Sequence, residues 1–155
     1  MSISATIRVQ TEDFDLSGEM ERIRVATSSI GAIVSFTGIC RDEGGRLTAL
    51  ELEHYPGMAE AELKKIADLA AERFDLLGLT IIHRTGTIAV SDNIVLVLSA
   101  ASHRQAAFDG ANFVMDFLKT KAPFWKKEHA AADGPGAWVS AKDVDDAALR
   151  RWQQP

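Results

Sequence analysis

The sequence predicts an α+β fold, in which helices and strands are mixed without alternating regularly. Only two long segments, 58–74 and 104–119, carry the apolar spacing of an amphipathic helix. Several short runs of β-branched residues are separated by turn-rich segments, which is typical of hairpin-linked strands. A regular parallel α/β fold needs a helix after nearly every strand, and this sequence does not supply them.

In the first half we predict a strand, a short helix, two strands and a long helix, at 5–10, 17–26, 31–38, 47–55 and 58–74. The run "GAIVSFTG" is apolar and bounded by glycines, which predicts a buried strand. Residues 47–55 alternate between the two faces of a half-exposed strand. The long helix begins after Pro56-Gly57, and its apolar stripe includes Leu63, Ile66 and Phe74.

In the second half we predict strands at 79–84 and 93–100, a helix at 104–119, and a hairpin of 125–129 with 137–141. The segment "TGTIAVSD" is interpreted as the connection between the first two of these strands. Pro123 ends the helix, because proline cannot continue it. The last ~15 residues, which include "DVDDAALRRW", predict a short final helix or a partly mobile, partner-contacting tail.

At 155 residues the chain is long enough to bury a real core, and we expect residues 1–155 to form a single domain. The net charge of −5 argues against a general nucleic-acid binder, which is usually basic. Cys40 is the only cysteine, so no disulfide can form within the chain, and no spacing of histidines or carboxylates suggests a metal. Without a signal-peptide pattern or an apolar run of membrane length, we expect a cytoplasmic protein.

Four of the seven lysines lie in the segment "FLKTKAPFWKKEHA", at Lys119, Lys121, Lys126 and Lys127. Lysines at a helix end or on an exposed strand often serve only stability and solubility, and on spacing alone this alternative stays open. The same lysines flank Pro123, Phe124 and Trp125, and an exposed apolar patch of this kind usually contacts a partner.

Further cations follow two predicted strands. His103 and Arg104 precede a helix, where free backbone N–H groups and the positive end of the helix dipole bind anions, although an unliganded surface pair is the alternative. Arg41 lies on a loop, where a lone arginine is usually solvated. The remaining candidates are interpreted as structural residues: Cys40, His54 and His83. Together the cations predict an anionic small molecule bound beside an apolar docking patch.

Four blocks of the sequence resemble the large, catalytic subunit of molybdopterin synthase. They are "VSFTGICRDEGG", "LELEHYPGMAE", "SDNIVLVLSAASHRQAAF" and "MDFLKTKAPFWKKE", which occur in the family's order over roughly residues 34 to 128. The most specific signals are Tyr-Pro-Gly-Met, His-Arg before a helix, and the lysine-rich block with its Pro-Phe-Trp core.

The resemblance implies an α/β hammerhead fold with an added antiparallel β part, and a sulfurtransferase of molybdenum cofactor biosynthesis. The family converts cyclic pyranopterin monophosphate to molybdopterin by installing a dithiolene. Its sulfur arrives on the thiocarboxylated Gly-Gly end of a small ubiquitin-like subunit, and the family needs no further cofactor. A homodimer of large subunits with a small subunit at each end forms the heterotetramer.

The resemblance also implies roles for individual residues. Lys119 and Lys126 match the catalytic lysines, whose clustering is expected to depress the pKa of an ammonium group and yield a usable acid–base or nucleophilic amine. The substrate-binding positions are Ile39, Cys40, Arg41, His103, Arg104, Lys119, Lys126, Lys127 and Glu128. Phe36 and Met115 match apolar positions near the site. We expect Phe124 and Trp125 to form one apolar wall along which the partner's tail threads.

Two other functions remain open from the sequence. A non-catalytic subunit that binds a pterin or nucleotide phosphate would use the same cations without turnover. A nucleic-acid module would bind RNA or DNA with steep salt dependence, but the acidic net charge argues against it. The sequence also leaves open whether each pocket takes residues from a second large subunit.

Overall fold

The computed structural model describes residues 3–42, 44–45, 47–121, 123–130, 134–139 and 148–153. Its strands are β1 (Ser4–Gln10), β2 (Ala32–Ile39), β3 (Leu47–His54), β4 (Gly78–Arg84), β5 (Gly86–Ala89), β6 (Asn93–Ala101), β7 (Phe124–Ala130) and β8 (Gly134–Val139). Its helices are α1 (Leu16–Arg24), α2 (Met58–Phe74) and α3 (Arg104–Thr120). No helix within these described ranges is long and apolar enough to cross a membrane.

Four strands form a mixed sheet in the order β1-β4-β6-β2. Strand β1 is parallel to β4, whereas β6 is antiparallel to both of its neighbours. Alternate side chains of the central strands point to opposite faces. On one face Leu79, Ile81 and Val97 pack against α2 and α3. On the other, Ile82 and Leu96 belong to a smaller cluster that includes Ile23 of α1.

A second sheet contains the lysine-rich segment. Its order is β5-β3-β7-β8, and all of its pairs are antiparallel. Strand β4 of the first sheet continues almost directly into β5 of the second, separated only by Thr85. The predicted hammerhead-type α+β fold with an added antiparallel β part is therefore confirmed. The predicted pairing of the two last strands is confirmed too, but β8 begins at Gly134, within the segment predicted as the turn.

Two predictions about strands were wrong. The segment 31–38 was expected to be a buried strand, but β2 is an edge strand on which Phe36 is 39% exposed and Ile39 is 53% exposed. The segment "TGTIAVSD" is not only a connection, because it contains β5. This strand has four residues and buries Ile88 alone, which is too short to give a recognisable alternation.

The described part of the C-terminal segment is packed against the two long helices. Residues 148–150 are helical and Leu149 is buried. The Trp152 ring lies edge-on to Phe74 and Phe113, with ring centroids 5.7 Å apart in both pairs. Arg73 donates a hydrogen bond of 2.7 Å to the Trp152 carbonyl. The predicted short helix is confirmed here, whereas 140–147 and 154–155 lie outside the described residues.

Candidate active site

Several of the predicted site residues lie at one end of the mixed sheet. Gly38 near the end of β2 and His83 near the end of β4 both lie opposite Val95, near the start of β6. Helix α3 follows β6 and packs back along β6 and β2, so its last turn returns to this end. The topology thus brings Ile39, Arg41 and Lys119 to the same end as His83. We call it the lysine end of the sheet.

Strand β7 divides the lysine-rich segment between two faces. Lys126 lies opposite Leu52, which is 3% exposed, so the side chains of Phe124, Lys126 and Glu128 belong to the inner face. The outer face carries Trp125, Lys127 and His129. Neighbouring residues of the same chemical type therefore meet different surroundings.

Contacts between aromatic rings agree with this division. On the inner face, Phe124 stacks on His83, with ring centroids 3.9 Å apart and an interplanar angle of 12°. On the outer face, Trp125 lies edge-on to Tyr55 at 5.0 Å. The single wall expected from Phe124 and Trp125 is therefore wrong, since the two rings lie on opposite sides of the strand. Contact of either ring with a partner's tail stays a prediction.

Lys119 and Lys126 approach the same histidine from two different elements. Burial lowers the pKa of His83 from 6.5 to about 4; a hydrogen bond with the Arg84 carbonyl opposes this shift, and the charges of Lys119 and Lys126 add to it. The imidazole is consequently neutral at pH 7, with two ammonium groups in electrostatic reach. The cations of α3 and β7 thus meet at the lysine end.

Cys40 is a core residue beside this group of cations. Its side chain is 1% exposed and packs with Leu52 and Ile88. Its N–H donates to the Asp92 carbonyl at 2.9 Å, and its carbonyl accepts from the Ser91 N–H at 2.7 Å. Burial raises the pKa of the thiol, which keeps it protonated. The structural interpretation of Cys40 is confirmed, and the exposed Ile39 and Arg41 are better placed to reach a ligand.

His103 and Arg104 lie at the opposite end of α3. Fifteen residues separate Arg104 from Lys119, which at 1.5 Å per residue places their backbones roughly 22 Å apart along the helix. Both side chains are exposed at the helix start. No side chain caps the helix there, and its first turn carries no acidic residue. Within one chain, therefore, this pair and Lys119 lie at opposite ends of α3.

A groove opens beside the C-terminal end of α3. Its volume is about 490 Å³, and its lining comprises Met58, Glu62, Lys65, Ile66, Leu69, Phe117, Lys121 and Pro123. Met58 and Leu69 are both about half exposed. The groove is thus mainly apolar, with lysine side chains among its lining, and it lies next to the turn that joins α3 to β7.

His83 was not predicted from the sequence as a member of the site. A histidine inside an apolar strand resembles a structural residue, and nothing near it in sequence indicates otherwise. Its relevance comes from the pairing of β3 with β7, which brings Phe124 over it, and from the return of α3, which brings Lys119. His54, opposite Phe124 in the β3–β7 register, has its Nε2 3.8 Å from a carboxylate oxygen of Glu60.

Comparisons with known proteins agree on one family. A sequence profile described as MoaE protein matches residues 9–121. The molybdopterin synthase catalytic subunit of Rhizobium meliloti (strain 1021) is 60% identical over 152 residues, which cover 98% of this chain and 98% of the relative. The structure of the molybdopterin biosynthesis MoaE protein from Burkholderia ambifaria MC40-6 has a TM-score of 0.84 and 50% identity, and the match covers 97% of this chain and 99% of that one.

A more distant structure shares the fold. It is titled a protein-protein complex of subunits 1 and 2 of molybdopterin-converting factor from Helicobacter pylori 26695. The matching chain has a TM-score of 0.68 and 19% identity, and the match covers 90% of both chains.

Proposed function

The chain belongs to the MoaE family, the catalytic subunits of molybdopterin synthase in molybdenum cofactor biosynthesis, and we propose that it transfers sulfur to a phosphorylated pterin. The sulfur donor is the thiocarboxylated C-terminus of a small ubiquitin-like subunit, and the acceptor is cyclic pyranopterin monophosphate. The observation that carries this proposal is the placement of Lys119, in the last turn of α3, and Lys126, on the inner face of β7, at the lysine end of the sheet.

The chemistry requires positive charge because both reactants are anions. Two unit charges 4 Å apart repel by about 4 kcal/mol at an effective dielectric constant of about 20. Fixed ammonium groups offset this repulsion when they face the point where phosphate and thiocarboxylate meet. Lys119 and Lys126 supply that charge from two elements, and Arg41 follows directly on Cys40, whose thiol lies near Lys126. The inner-face Glu128 completes this half of the site.

We assign the other half to a second copy of the large subunit. His103 and Arg104 lie at the end of α3 opposite Lys119, with backbones roughly 22 Å away, and a helix start with an adjacent arginine suits a phosphate. Apolar side chains support a homodimer: Phe36 and Ile39 on the edge strand β2, and Phe108 on α3, are 39%, 53% and 53% exposed. Exposed edges and apolar surface of this kind are usually covered by a partner.

The small subunit delivers its tail from the side of the apolar groove. The groove adjoins Lys121 and Pro123, directly between the end of α3 and β7. A Gly-Gly end has no side chains, so it can enter a narrow path and bring its terminal anion to the lysines. The distant structure from H. pylori is itself a complex of two subunits, which supports such an assembly. One small subunit on each large subunit gives a heterotetramer.

Reconstitution separates this proposal from a non-catalytic binding subunit. The purified chain, the thiocarboxylated small subunit and cyclic pyranopterin monophosphate are mixed, and molybdopterin is measured. Lys119→Ala is expected to lose at least about a hundredfold in turnover, because its charge acts where the anions meet. Truncation at this exposed position should change stability little.

Lys64→Ala is the matched control. Lys64 lies on the exposed face of α2, where it pairs with Asp68 at 2.8 Å, and the variant is expected to turn over like the wild type. Equal losses in both variants would indicate general destabilisation. Full turnover by Lys119→Ala would refute the assignment, and binding of the pterin without any sulfur transfer would favour the binding subunit.

A further inference from the structure

We propose that His83 is a positioning residue of the lysine site: its neutral ring holds Phe124 flat and presents an uncharged surface to Lys119 and Lys126. This inference rests on the proposed function, since it assigns a role within that site. His83 contacts no substrate in this scheme and acts through the side chains around it.

The first support is the geometry of the stack. The rings of His83 and Phe124 are nearly parallel at 3.9 Å, and Phe124 is the first residue of β7. On the inner face of that strand, the next side chain is Lys126. Fixing the Phe124 ring therefore fixes the direction in which β7 leaves the turn after α3. The turn is short, so the same contact relates Lys126 to Lys119.

The second support is the tautomer. His83 Nδ1 lies 2.8 Å from the Arg84 carbonyl oxygen, which can only accept a hydrogen bond, so Nδ1 carries the proton. In the neutral ring Nε2 then carries a lone pair and no charge.

The third support is the set of titratable groups that face the ring. They are Lys119 from α3, Lys126 from β7 and His54 from β3, the last beside Glu60 of α2. An imidazolium among these groups would repel both ammonium groups and move them from their places. An uncharged flat ring fills the same space without repelling the two ammonium groups.

Three substitutions separate shape from charge. His83→Phe keeps a flat neutral ring, although a larger one, and is expected to retain turnover within about threefold because stacking on Phe124 is preserved. His83→Ala removes the stack and is expected to lower kcat by at least about tenfold, since small displacements of catalytic groups are costly. His83→Arg keeps a flat stacking group but adds a fixed charge, and a loss similar to that of alanine is expected.

The control is His129→Ala. His129 lies on the outer face of β7, with its Nε2 3.7 Å from a carboxylate oxygen of Glu51, and its removal should leave kcat unchanged. Circular dichroism and thermal unfolding establish that each variant is folded. If His83→Ala does not fold, the comparison of His83→Phe with His83→Arg still decides: equal activity of these two variants overturns the proposal. So does full activity of a folded His83→Ala.

A readout independent of turnover keeps this inference distinct from the proposed function. The ¹⁵N shifts of the His83 imidazole in the wild-type chain are expected to report a neutral ring protonated at Nδ1 at pH 7. An imidazolium, or a ring protonated at Nε2, would overturn the positioning role. If the wild type makes no molybdopterin, the proposed function fails, and these shifts still decide the inference.

Discussion

The two faces of β7 carry nearly the same kinds of side chain in different surroundings. Each has an aromatic ring followed by a lysine: Phe124 and Lys126 on the inner face, Trp125 and Lys127 on the outer. The inner pair meets a half-buried histidine and the end of α3. The outer pair shares its face with Tyr55, which is 60% exposed. Residue type alone therefore does not distinguish the two lysines, and we expect the face of the strand to decide which one is reactive.

The largest expected effect distinguishes the two adjacent lysines. Lys126→Ala should reduce molybdopterin formation by at least about a hundredfold, because it removes a fixed charge at the point where two anions meet. Lys127→Ala should reduce kcat/KM by no more than about fivefold, as expected for a charge on the outer face of the strand. Steady-state kinetics of the reconstituted enzyme measures both. Equal losses would mean that the face of the strand does not decide function.

A smaller effect is expected from the two aromatic rings. Phe124→Leu removes the stack with His83 while conserving apolar volume, and kcat should fall about tenfold. Trp125→Leu loses an outer-face contact with Tyr55, and kcat should stay within about twofold of the wild type. The KM for the small subunit is measured in the same titration. A rise in that KM for Trp125→Leu alone would place the path of the tail on the outer face.

The smallest expected effect is absent at neutral pH and appears only on acidification. The folded-state pKa of His83 is about 4 and its ordinary value is 6.5, so the unfolded chain takes up a proton first as the pH falls. Stability from this group is complete above about pH 6.5, declines as the pH falls, and is lost by about pH 4. The difference between these two pKa values corresponds to about 3 kcal/mol of folding free energy, at 1.36 kcal/mol per pKa unit.

His83→Phe cannot take up this proton. Its free energy of unfolding should therefore rise relative to the wild type by up to about 3 kcal/mol between pH 6.5 and 4. His129→Ala serves as the comparison and should follow the wild-type curve. Urea unfolding at a series of pH values measures the difference, and parallel curves for wild type and His83→Phe would contradict a neutral His83.

The sequence predicted the long helices and the cations well because those signals are local. The 3.6-residue period of α2 and the proline after α3 depend on neighbouring residues only. Burial of β2 was predicted wrongly, because an apolar edge strand and an apolar central strand look the same in sequence. The short β5 gave too few residues for any period.

The candidate site was predicted as a set of residues but not as an arrangement. Which of two adjacent lysines faces inward depends on the register of β7 against β3, and a shift of one residue would exchange the faces. The inclusion of His83 depends on three elements meeting at the lysine end. The separation of Arg104 from Lys119 follows from the length of α3. His103 and Arg104 therefore lie at the end of the helix opposite the lysine end.

The division of the site between two copies is the central claim, and mixed dimers test it most directly. Lys119→Ala and Arg104→Ala chains are co-expressed with different affinity tags, and hybrids are purified through both tags. If each site combines the lysine end of one copy with the α3 start of the other, one of the two sites in every hybrid is intact. About half of wild-type activity is expected from two inactive parents, since a twofold dimer has two equivalent sites.

The control is a hybrid of Lys119→Ala with Lys126→Ala. Both residues belong to the lysine end, so each of the two sites lacks one lysine and the hybrid should stay inactive. A Lys119→Ala/Arg104→Ala hybrid as inactive as its parents would contradict the account.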